Sequence, residues 1–327
     1  MPEADRITVI IPNWNGERFI SECLGSLSVQ TAGRPAIIVV DNGSRDRSCE
    51  IIKSDFPHVH LIENNTNEGF ARAVNRGINA SQTEFAALLN NDAVPDPEWL
   101  ERLLDAAREN PDADSFACKI VFHENPGTID SAGDAYTPWG MTSNRGHGEP
   151  DTGGFDKPQH VFGPCGAAAF YRKSFFDTVG LFDENFFAYY EDTDLSMRGL
   201  LAGKKCLYVP AARVRHHYSA SSSGKKSKLG TEEVYIHLTG VLVKNMPGAI
   251  IAKHIISITM CHSAILFFWL VARLRRKNRL PRVPLLRFFS AMLRQREKIA
   301  AARAVAVDKL VSDFVYGSFF EYLKKRY

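Results

Sequence analysis

The 327-residue chain lacks the sequence features of several large protein classes. Its six cysteines include no Cys-x-x-Cys pair, so we predict neither a disulfide framework nor a structural zinc site. The motifs Gly-x-Gly-x-x-Gly, the P-loop, Gly-x-Ser-x-Gly and His-Glu-x-x-His are all absent, which argues against the dinucleotide enzymes, NTPases and hydrolases that use them. The first residues, MPEADR, contain no hydrophobic run, so we expect no secretory signal and a cytoplasmic location.

The small net charge of +3 conceals two regions of opposite sign. Residues 1–236 contain 23 Lys and Arg against 33 Asp and Glu, whereas residues 237–327 contain 17 against 4. An acidic body is unsuited to binding nucleic acid over its surface, whereas a basic, aromatic-rich tail suits an anionic surface. We therefore expect no nucleic-acid partner, and an anionic membrane surface as a partner of the C-terminal region.

Short apolar runs alternate with helical patterns through the first 120 residues. The runs are nearly continuous rather than alternating, which indicates strands buried on both faces. Predicted strands cover 7–11, 37–40, 60–62, 85–89 and 116–122, and predicted helices cover 17–27, 45–54, 70–80 and 96–109. This order predicts an α/β fold with a mostly parallel sheet, helices on both faces and ligands beyond the carboxyl ends of the strands.

The second half of the chain changes character. Residues 123–165 lose periodicity and are predicted to form a long irregular insertion. Helical spacing returns at 173–179 and 192–202, and a short strand is predicted at 206–209. We predict two parts: a domain over 1–228 and a helical region over 229–327.

Polar side chains follow two of the predicted strands. Asp41 ends the second strand, where its carboxylate either accepts the ring N–H of a pyrimidine base or holds an Asx-turn or the N-cap of the following helix. Asp92 follows the fourth strand and is placed either to ligate a divalent metal or to form a turn with Asn91. Asn90, beside them, is placed to bond a ribose hydroxyl.

Three carboxylates, Glu191, Asp192 and Asp194, stand at the predicted start of a helix. The helix dipole alone favours acids there, and the i,i+4 spacing of Asp194 and Arg198 predicts a structural ion pair. Apolar and aromatic residues crowd this group, however, and a carboxylate at the edge of such a pocket can act as a general base. Further on, a histidine of VRHHYSASSS (214–223) either completes a metal shell with Asp92 or is an ordinary surface or core histidine.

These segments, in this order, resemble the family 2 glycosyltransferases of the GT-A fold, and in particular their rhamnosyltransferase-like branch. The resemblance covers about residues 6–223. It is carried by TVIIPNWNG, VVDNGSRD, NEGFARAVNRG, LLNNDAVPDPEWL, CGAAAFYR, VGLFDENFFAYYEDTDLSMRGLLAG and VRHHYSAS.

The resemblance implies the GT-A nucleotide-diphospho-sugar transferase fold and an inverting transfer from a nucleotide-diphosphate sugar of UDP or dTDP type, with dTDP-rhamnose favoured. It implies Asp192 as the general base with Glu191 beside it, and Asp92 and His216 as ligands of Mg²⁺ or Mn²⁺. The nucleotide-sugar site it implies comprises Pro12, Asn13, Asp41, Asn67, Gly69, Asn75, Asn90 and Asn91. Asn90 stands where the family carries the first acid of its D-x-D motif.

The C-terminal region contains an 18-residue segment without formal charge, 255–272, followed by a cluster of basic residues. Beyond it, Leu285, Phe288, Phe289 and Met292 share one helical face while basic residues occupy another. This composition predicts a helix lying in an anionic membrane interface, with a membrane span or a helical cap on the domain as alternatives.

The leading functional hypothesis is a glycosyltransferase, peripheral on the inner face of the cell membrane, that extends a glycan or lipid-linked acceptor during surface polysaccharide synthesis. The alternatives are a nucleotidyltransferase that forms sugar nucleotides and a non-catalytic membrane-bound binding protein. A nucleotidyltransferase would need a Gly-rich basic loop after the first strand, but PNWNGE stands there. The acids at 92 and 192 argue against a non-catalytic protein. A homo-oligomer is left open.

Overall fold

The computed structural model describes residues 3–217, 230–275 and 285–306. A 3₁₀ helix, Glu3–Arg6, opens the chain. The elements up to residue 122 are β1 (Ile7–Asn13), α1 (Ile20–Ser28), β2 (Ala36–Asp41), α2 (Ser48–Asp55), β3 (His60–Glu63), α3 (Phe70–Ala80), β4 (Phe85–Leu89), β5 (Ala93–Pro95), α4 (Trp99–Glu109) and β6 (Ser115–Phe122). Their order confirms the predicted alternation of strands and helices, and most bounds agree within three residues.

The remaining elements include five that the sequence patterns did not predict. The elements from residue 123 are β7 (Ile129–Ser131), β8 (Asp134–Tyr136), β9 (Thr142–Asn144), β10 (Gln159–Val161), β11 (Ala168–Arg172), α5 (Lys173–Val179), α6 (Glu191–Leu201), β12 (Cys206–His216), α7 (Gly230–Asn245), α8 (Gly248–Lys253), α9 (Ile255–Arg275) and α10 (Leu285–Ala302). The predicted insertion therefore contains β7 to β10, and β12 extends well beyond the predicted strand.

The main sheet has the strand order β10-β12-β6-β11-β4-β1-β2-β3, with β5 paired to β12 and β7 to β6. From β4 to β3 the pairs are parallel, as predicted. The sheet as a whole is mixed, because β11 runs antiparallel between β4 and β6. The ends of β1, β2 and β4 therefore open onto one edge, and β12 brings the chain back beside β6.

Apolar side chains cover both faces of the sheet. On one face, Leu24 of α1 and Leu103 of α4 pack in the cluster that contains Val9. On the other, Val74 of α3 and Phe175 of α5 pack in the cluster that contains Ile10. Strands buried on both faces explain why the sequence shows continuous apolar runs.

The C-terminal helices share a separate core with the insertion and with α6. Tyr136 and Trp139 from the insertion pack in one cluster with Leu242 of α7 and with Phe288 and Met292 of α10. The predicted apolar face of α10 is thus buried against other helices at Phe288 and Met292. For that face, the structure agrees with the alternative of a helical cap on the domain. The predicted boundary at 228 falls outside the described residues.

The uncharged segment 255–272 lies within α9, which is mainly exposed at Ile256, Met260 and Phe267. Among the helices that the structure describes, none has both the length and the apolarity needed to cross a membrane.

Candidate active site

The ends of β1 and β2 are joined by side-chain hydrogen bonds. Asn13 and Asp41 are register partners, and Asn13 Nδ2 donates to Asp41 Oδ1 at 2.7 Å. Asp41 also accepts the backbone N–H of Ser44 at Oδ2 and its hydroxyl at Oδ1. The carboxylate of Asp41 therefore holds the turn after β2, as the Asx-turn alternative predicts. Pro12, one residue earlier in β1, is partly exposed at the same edge.

The loop before α3 approaches the segment that leads to α6. Gly69 has a φ of 93°, and the next backbone N–H, of Phe70, donates to the carbonyl oxygen of Phe187 at 2.7 Å. A Cβ at Gly69 would lie 2.5 Å from that oxygen, so only glycine fits there. Asn67 Oδ1 accepts the N–H of Gly69 and fixes the turn.

Asn75 does not extend from α3 into the nucleotide site as expected. It is buried, its Nδ2 donates to the carbonyl of Phe182 and to Glu184, and its Oδ1 accepts the N–H of Phe182. These bonds assign Asn75 to holding the segment before α6 in place, rather than to contacting a base or diphosphate. The sequence motif contains the residue but gives no sign of partners more than 100 positions away.

The segment Asn90–Asp92 follows β4 at the same edge. Asn91 Nδ2 donates to Asn13 Oδ1 at 2.7 Å, which connects the ends of β4 and β1. The backbone N–H of Asn90 donates to the carbonyl of Ala167, while its side chain is partly exposed. Asp92 is 3% exposed, and its Oδ1 faces the imidazole of His216.

His216, at the end of β12, meets Asp92. Its Nε2 lies 3.2 Å from Asp92 Oδ1, and its Nδ1 lies 2.8 Å from Oδ2 of Asp130 in β7. Burial lowers the pKa of His216, but the interactions with the carboxylates of Asp130 and Asp92 outweigh it and raise the pKa to about 9. The predicted proximity of Asp92 and His216 is confirmed, and Asp130 orients the imidazole from behind.

Asp130 is itself held from a second side. Nδ1 of His147 lies 3.1 Å from Asp130 Oδ1 and 2.9 Å from its carbonyl oxygen. Burial raises the pKa of Asp130, but the hydrogen bonds with His147 and His216 outweigh it and lower the pKa. The ionised carboxylate is therefore the stable form, and it fixes the ring of His216.

This arrangement fits a divalent cation. The buried carboxylate of Asp92 lies beside an imidazole nitrogen whose other nitrogen is held by a carboxylate, and a bound cation would displace the proton between them. Oxygen and imidazole ligands suit Mg²⁺, Mn²⁺ and related ions, and a carboxylate behind the histidine is the usual support of a ligating imidazole.

A second group of potential ligands, Glu22, His123 and His217, lies nearby, with one possible ligand atom from each within 4.8 Å of the others. The two imidazoles stack, with centroids 3.7 Å apart and planes inclined by 19°. Lone pairs lie in the plane of an imidazole ring, so nearly parallel stacked rings cannot both direct them at one ion. We assign no metal to this group.

The acidic pair Glu191 and Asp192 begins α6. Asp192 Oδ2 accepts the backbone N–H of Gly166 at 3.0 Å, and its Oδ1 accepts the N–H of Thr193 at 2.7 Å. Burial raises the pKa of Asp192, and these backbone bonds limit the rise. Burial, reinforced by the Asp192 carboxylate, raises the pKa of Glu191 well above its usual range. Of the two acids, Asp192 is the better proton acceptor near neutrality.

Asp194 has the structural role that its spacing predicts. Its Oδ2 lies 2.9 Å from Nε of Arg198, one helical turn later. Lys244 and Asn245 of α7 add bonds of 2.8 Å to the same carboxylate. Asp194 is fully buried, so its ion pair with Lys244 attaches α7 to α6 rather than serving the reaction.

The comparisons with known proteins identify the family. Residues 8–180 match the family model described as glycosyl transferase family 2. The chain belongs to that family. A relative named N-acetylglucosaminyl-diphospho-decaprenol L-rhamnosyltransferase, from Mycobacterium tuberculosis, is 30% identical over 249 residues, which cover 68% of this chain and 78% of that protein.

Solved structures show that this family 2 glycosyltransferase has the GT-A-like fold. A mannosyltransferase, PcManGT from Pyrobaculum calidifontis, has a TM-score of 0.54 at 17% identity, covering 91% of this chain and 85% of that one. GalNAc-T7 has a TM-score of 0.62 at 15% identity, covering 98% and 57%. The former was solved with GDP-Man and Mn²⁺, and the latter with UDP, GalNAc and Mn²⁺.

Sequence reasoning missed two residues of this candidate site, Asp130 and Gly166. Asp130 lies in a short strand of the insertion and has no local motif. Gly166 stands in the CGAAAFYR segment, where the close approach of Asp192 Oδ2, 3.1 Å from a Cβ built on the glycine, explains why a small residue is needed. For Asp130, the density of Asp and Gly in the insertion was the one available signal.

Proposed function

We propose that this family 2 enzyme is an inverting, divalent-dependent glycosyltransferase that moves a sugar from a nucleotide-diphosphate sugar to a hydroxyl of a lipid-linked glycan. The named activity of the mycobacterial relative, an L-rhamnosyltransferase acting on N-acetylglucosaminyl-diphospho-decaprenol, supports a lipid-linked acceptor and favours dTDP-rhamnose as donor.

The observation that carries the proposal is the buried carboxylate of Asp92, which faces Nε2 of His216 at 3.2 Å while Asp130 holds the other ring nitrogen. Asp92 and His216 are the proposed ligands of Mg²⁺ or Mn²⁺. Such an ion neutralises charge on the diphosphate leaving group. Pro12, Asn13, Asp41 and Asn67 to Gly69 are proposed to border the nucleoside, directly or by fixing the loops that contact it, and Asn90 and Asn91 to border the sugar-diphosphate.

The proposed reaction needs one protein base. Asp192 accepts the proton of the acceptor hydroxyl while that oxygen forms its bond to the anomeric carbon of the donor. The bond from the anomeric carbon to the nucleoside diphosphate breaks on the opposite face, so the configuration inverts and no covalent enzyme intermediate forms. The backbone N–H groups of Gly166 and Thr193 hold the Asp192 carboxylate in place.

The charge asymmetry supports a position on the cytoplasmic face of the membrane. Residues 273–303 contain 11 Lys and Arg and one acid, Glu297. Each basic residue near an anionic leaflet contributes about 1 kcal/mol of attraction. A soluble donor and a membrane-confined acceptor would meet at that surface.

A thermal-shift panel of UDP-, dTDP- and GDP-sugars, each with Mn²⁺, Mg²⁺ or EDTA, tests donor and metal together. A ligand that binds the native state raises the melting temperature, by an amount equivalent to about 2.7 kcal/mol at one hundred times its Kd. We expect one dTDP- or UDP-sugar to stabilise the protein only with the metal. Asp92→Ala should abolish this shift, whereas Asp112→Ala, which removes an exposed acid, should not.

The nucleotide sugar that stabilises the protein is then incubated with the enzyme and an N-acetylglucosaminyl-diphospho-isoprenoid acceptor. The product is analysed by mass spectrometry and NMR. Transfer with inversion at the anomeric carbon supports the proposal. Full activity in EDTA, or a product with retained configuration, contradicts it.

A further inference from the structure

An apolar groove of about 440 Å³ lies among the C-terminal helices α7, α9 and α10. Ligand sites in proteins occupy about 300–1,000 Å³ and are lined mostly by apolar side chains, so its size and lining are those of a binding site. The residues that give it its apolar character include Tyr235, Leu242, Ile258, Leu266, Leu285 and Phe289.

The groove continues onto an exposed apolar face of α9. Leu266 lines the groove and is 54% exposed, while Ile256 and Phe267, on the adjoining face, are 75% and 62% exposed. Large apolar side chains that remain exposed side by side indicate a surface that contacts an apolar partner. The groove is therefore the deeper part of a longer apolar surface, open at its side.

Two contacts connect the groove to the catalytic loops. His237, between groove residues on α7, bonds through Nδ1 with the carbonyl oxygens of Ala188 and Tyr189, at 3.0 and 3.1 Å. Tyr189 and Tyr190 directly precede α6, and both have positive φ. The wall of the groove thus positions the segment that carries the proposed base.

The second contact reaches the insertion. His262 lines the groove, and its Nε2 lies 3.3 Å from the carbonyl oxygen of Trp139. The same insertion carries Asp130, which orients His216. The two contacts therefore connect the helices of the groove to both chain segments that carry residues of the proposed reaction centre.

The charges around the groove complement an anionic headgroup. Arg287 is exposed on α10, which lines the groove, and Lys253 is exposed at the end of α8, directly before α9. Glu297 is the one acid in residues 234–306. An apolar chain that ends in a diphosphate has the matching pattern, because its chain needs an apolar wall and its headgroup needs cations nearby.

We propose that the groove between α7, α9 and α10 binds the isoprenoid chain of the acceptor and so directs the acceptor glycan toward Asp192. The inference rests on the proposed function for the identity of the acceptor. It adds the binding site, which the catalytic residues do not specify. The part of a long chain that exceeds the groove lies along Ile256, Met260 and Phe267.

The test uses the full chain and a benzophenone-bearing geranylgeranyl diphosphate in neutral detergent micelles, with cross-linked peptides mapped by mass spectrometry. We expect cross-links to α7, α9 or α10. Leu266→Glu places a charge at the mouth of the groove, and Ser263→Trp fills it from an exposed position, so each should reduce cross-linking about tenfold, equivalent to 1.4 kcal/mol. Leu293→Glu, on an exposed part of α10 outside the groove, is the matched control.

Several outcomes overturn the inference. The first is equal cross-linking in all variants. The second is no cross-linking at all, which would mean that residues 307–327 or a second copy of the chain cover the groove. The third is displacement of the probe by phosphatidylglycerol vesicles as effectively as by an unlabelled isoprenoid diphosphate.

A kinetic comparison separates this inference from the proposed function. The variants should raise KM about tenfold for an acceptor with a long isoprenoid chain, and leave KM unchanged for a short-chain soluble acceptor and for the donor. If the variants change KM equally for both acceptors, the groove is not the isoprenoid site, although the proposed sugar transfer is unaffected. Probe binding without any sugar transfer overturns the proposed function instead.

Discussion

Nδ1 of His216 lies 2.8 Å from Oδ2 of Asp130, although 86 residues separate them in the chain. The bond leaves Nε2 of the imidazole facing Asp92 Oδ1 at 3.2 Å. The strand that ends in His216 and the insertion that carries Asp130 are thereby combined into one proposed metal site, in which the insertion orients a ligand that it does not itself supply.

Replacing Asp130 tests this orienting role. Asp130→Ala should weaken Mn²⁺ affinity about 10–100-fold, as is usual when the partner of a ligating histidine is removed. The measurement is the Mn²⁺ concentration at half-maximal donor binding, with Asp112→Ala as the exposed control. Unchanged Mn²⁺ affinity in Asp130→Ala would show that His216 needs no such support.

Replacing the acids at the start of α6 tests the base. Asp192→Asn keeps the shape of the side chain but cannot accept the proton, so turnover should fall about 10²–10⁴-fold with donor binding little changed. Glu191→Gln should be milder, because burial raises the pKa of Glu191 and favours its neutral form. A larger loss in Glu191→Gln would reverse the two assignments.

Removing Lys244 tests the attachment of α7. Its Nζ lies 2.7 Å from Asp183 and 2.8 Å from Asp194, and all three side chains are nearly inaccessible. Lys244→Met should lower the free energy of unfolding by about 3–5 kcal/mol, since it removes the buried cation between two buried carboxylates and leaves Asp194 with Arg198 alone. Lys205→Met, which breaks an exposed pair with Asp112, should cost about 0–1 kcal/mol. If urea unfolding shows that both variants lose a similar free energy of unfolding, the stabilising role of the buried Lys244 contacts is contradicted.

The same site predicts a pH dependence of stability. Burial raises the pKa of Asp194, but Lys244 and Arg198 outweigh it and lower the pKa below the usual value. A carboxyl group with a lowered pKa in the folded state stabilises the protein above its unfolded pKa of about 3.9. That contribution is lost as the pH falls through the lower folded pKa. The stability difference between wild type and Asp194→Asn should therefore be full at pH 6 and shrink below about pH 4.

Vesicle sedimentation of the full chain tests the proposed membrane surface. Binding to anionic vesicles should be strong at low salt and weaken as salt rises, because salt screens exposed charges. Ile256→Asp, on the exposed apolar face of α9, should weaken it further, while Val29→Asp, an exposed apolar residue at the end of α1, should not. Equal binding to neutral and anionic vesicles would reject the electrostatic contribution.

The local pattern of the sequence was sufficient to predict the strands from β1 to β4 and the polar residues at their ends. Side chains that follow parallel strands meet at one edge of a sheet, so the sequence alone places Asn13, Asp41 and Asp92 together. The ion pair of Asp194 with Arg198 was equally predictable, because positions i and i+4 face each other on a helix.

Tertiary structure alone decided the contacts between distant segments. The bond from His216 to Asp130, the use of Asn75 to hold Phe182, and the burial of Phe288 by α7 join residues that no helix or strand period relates. The position of β11, antiparallel between β4 and β6, was likewise decided by contacts between distant segments. Periodicity reports which face of an element is apolar, whereas the partner that covers that face is selected by packing across the whole chain.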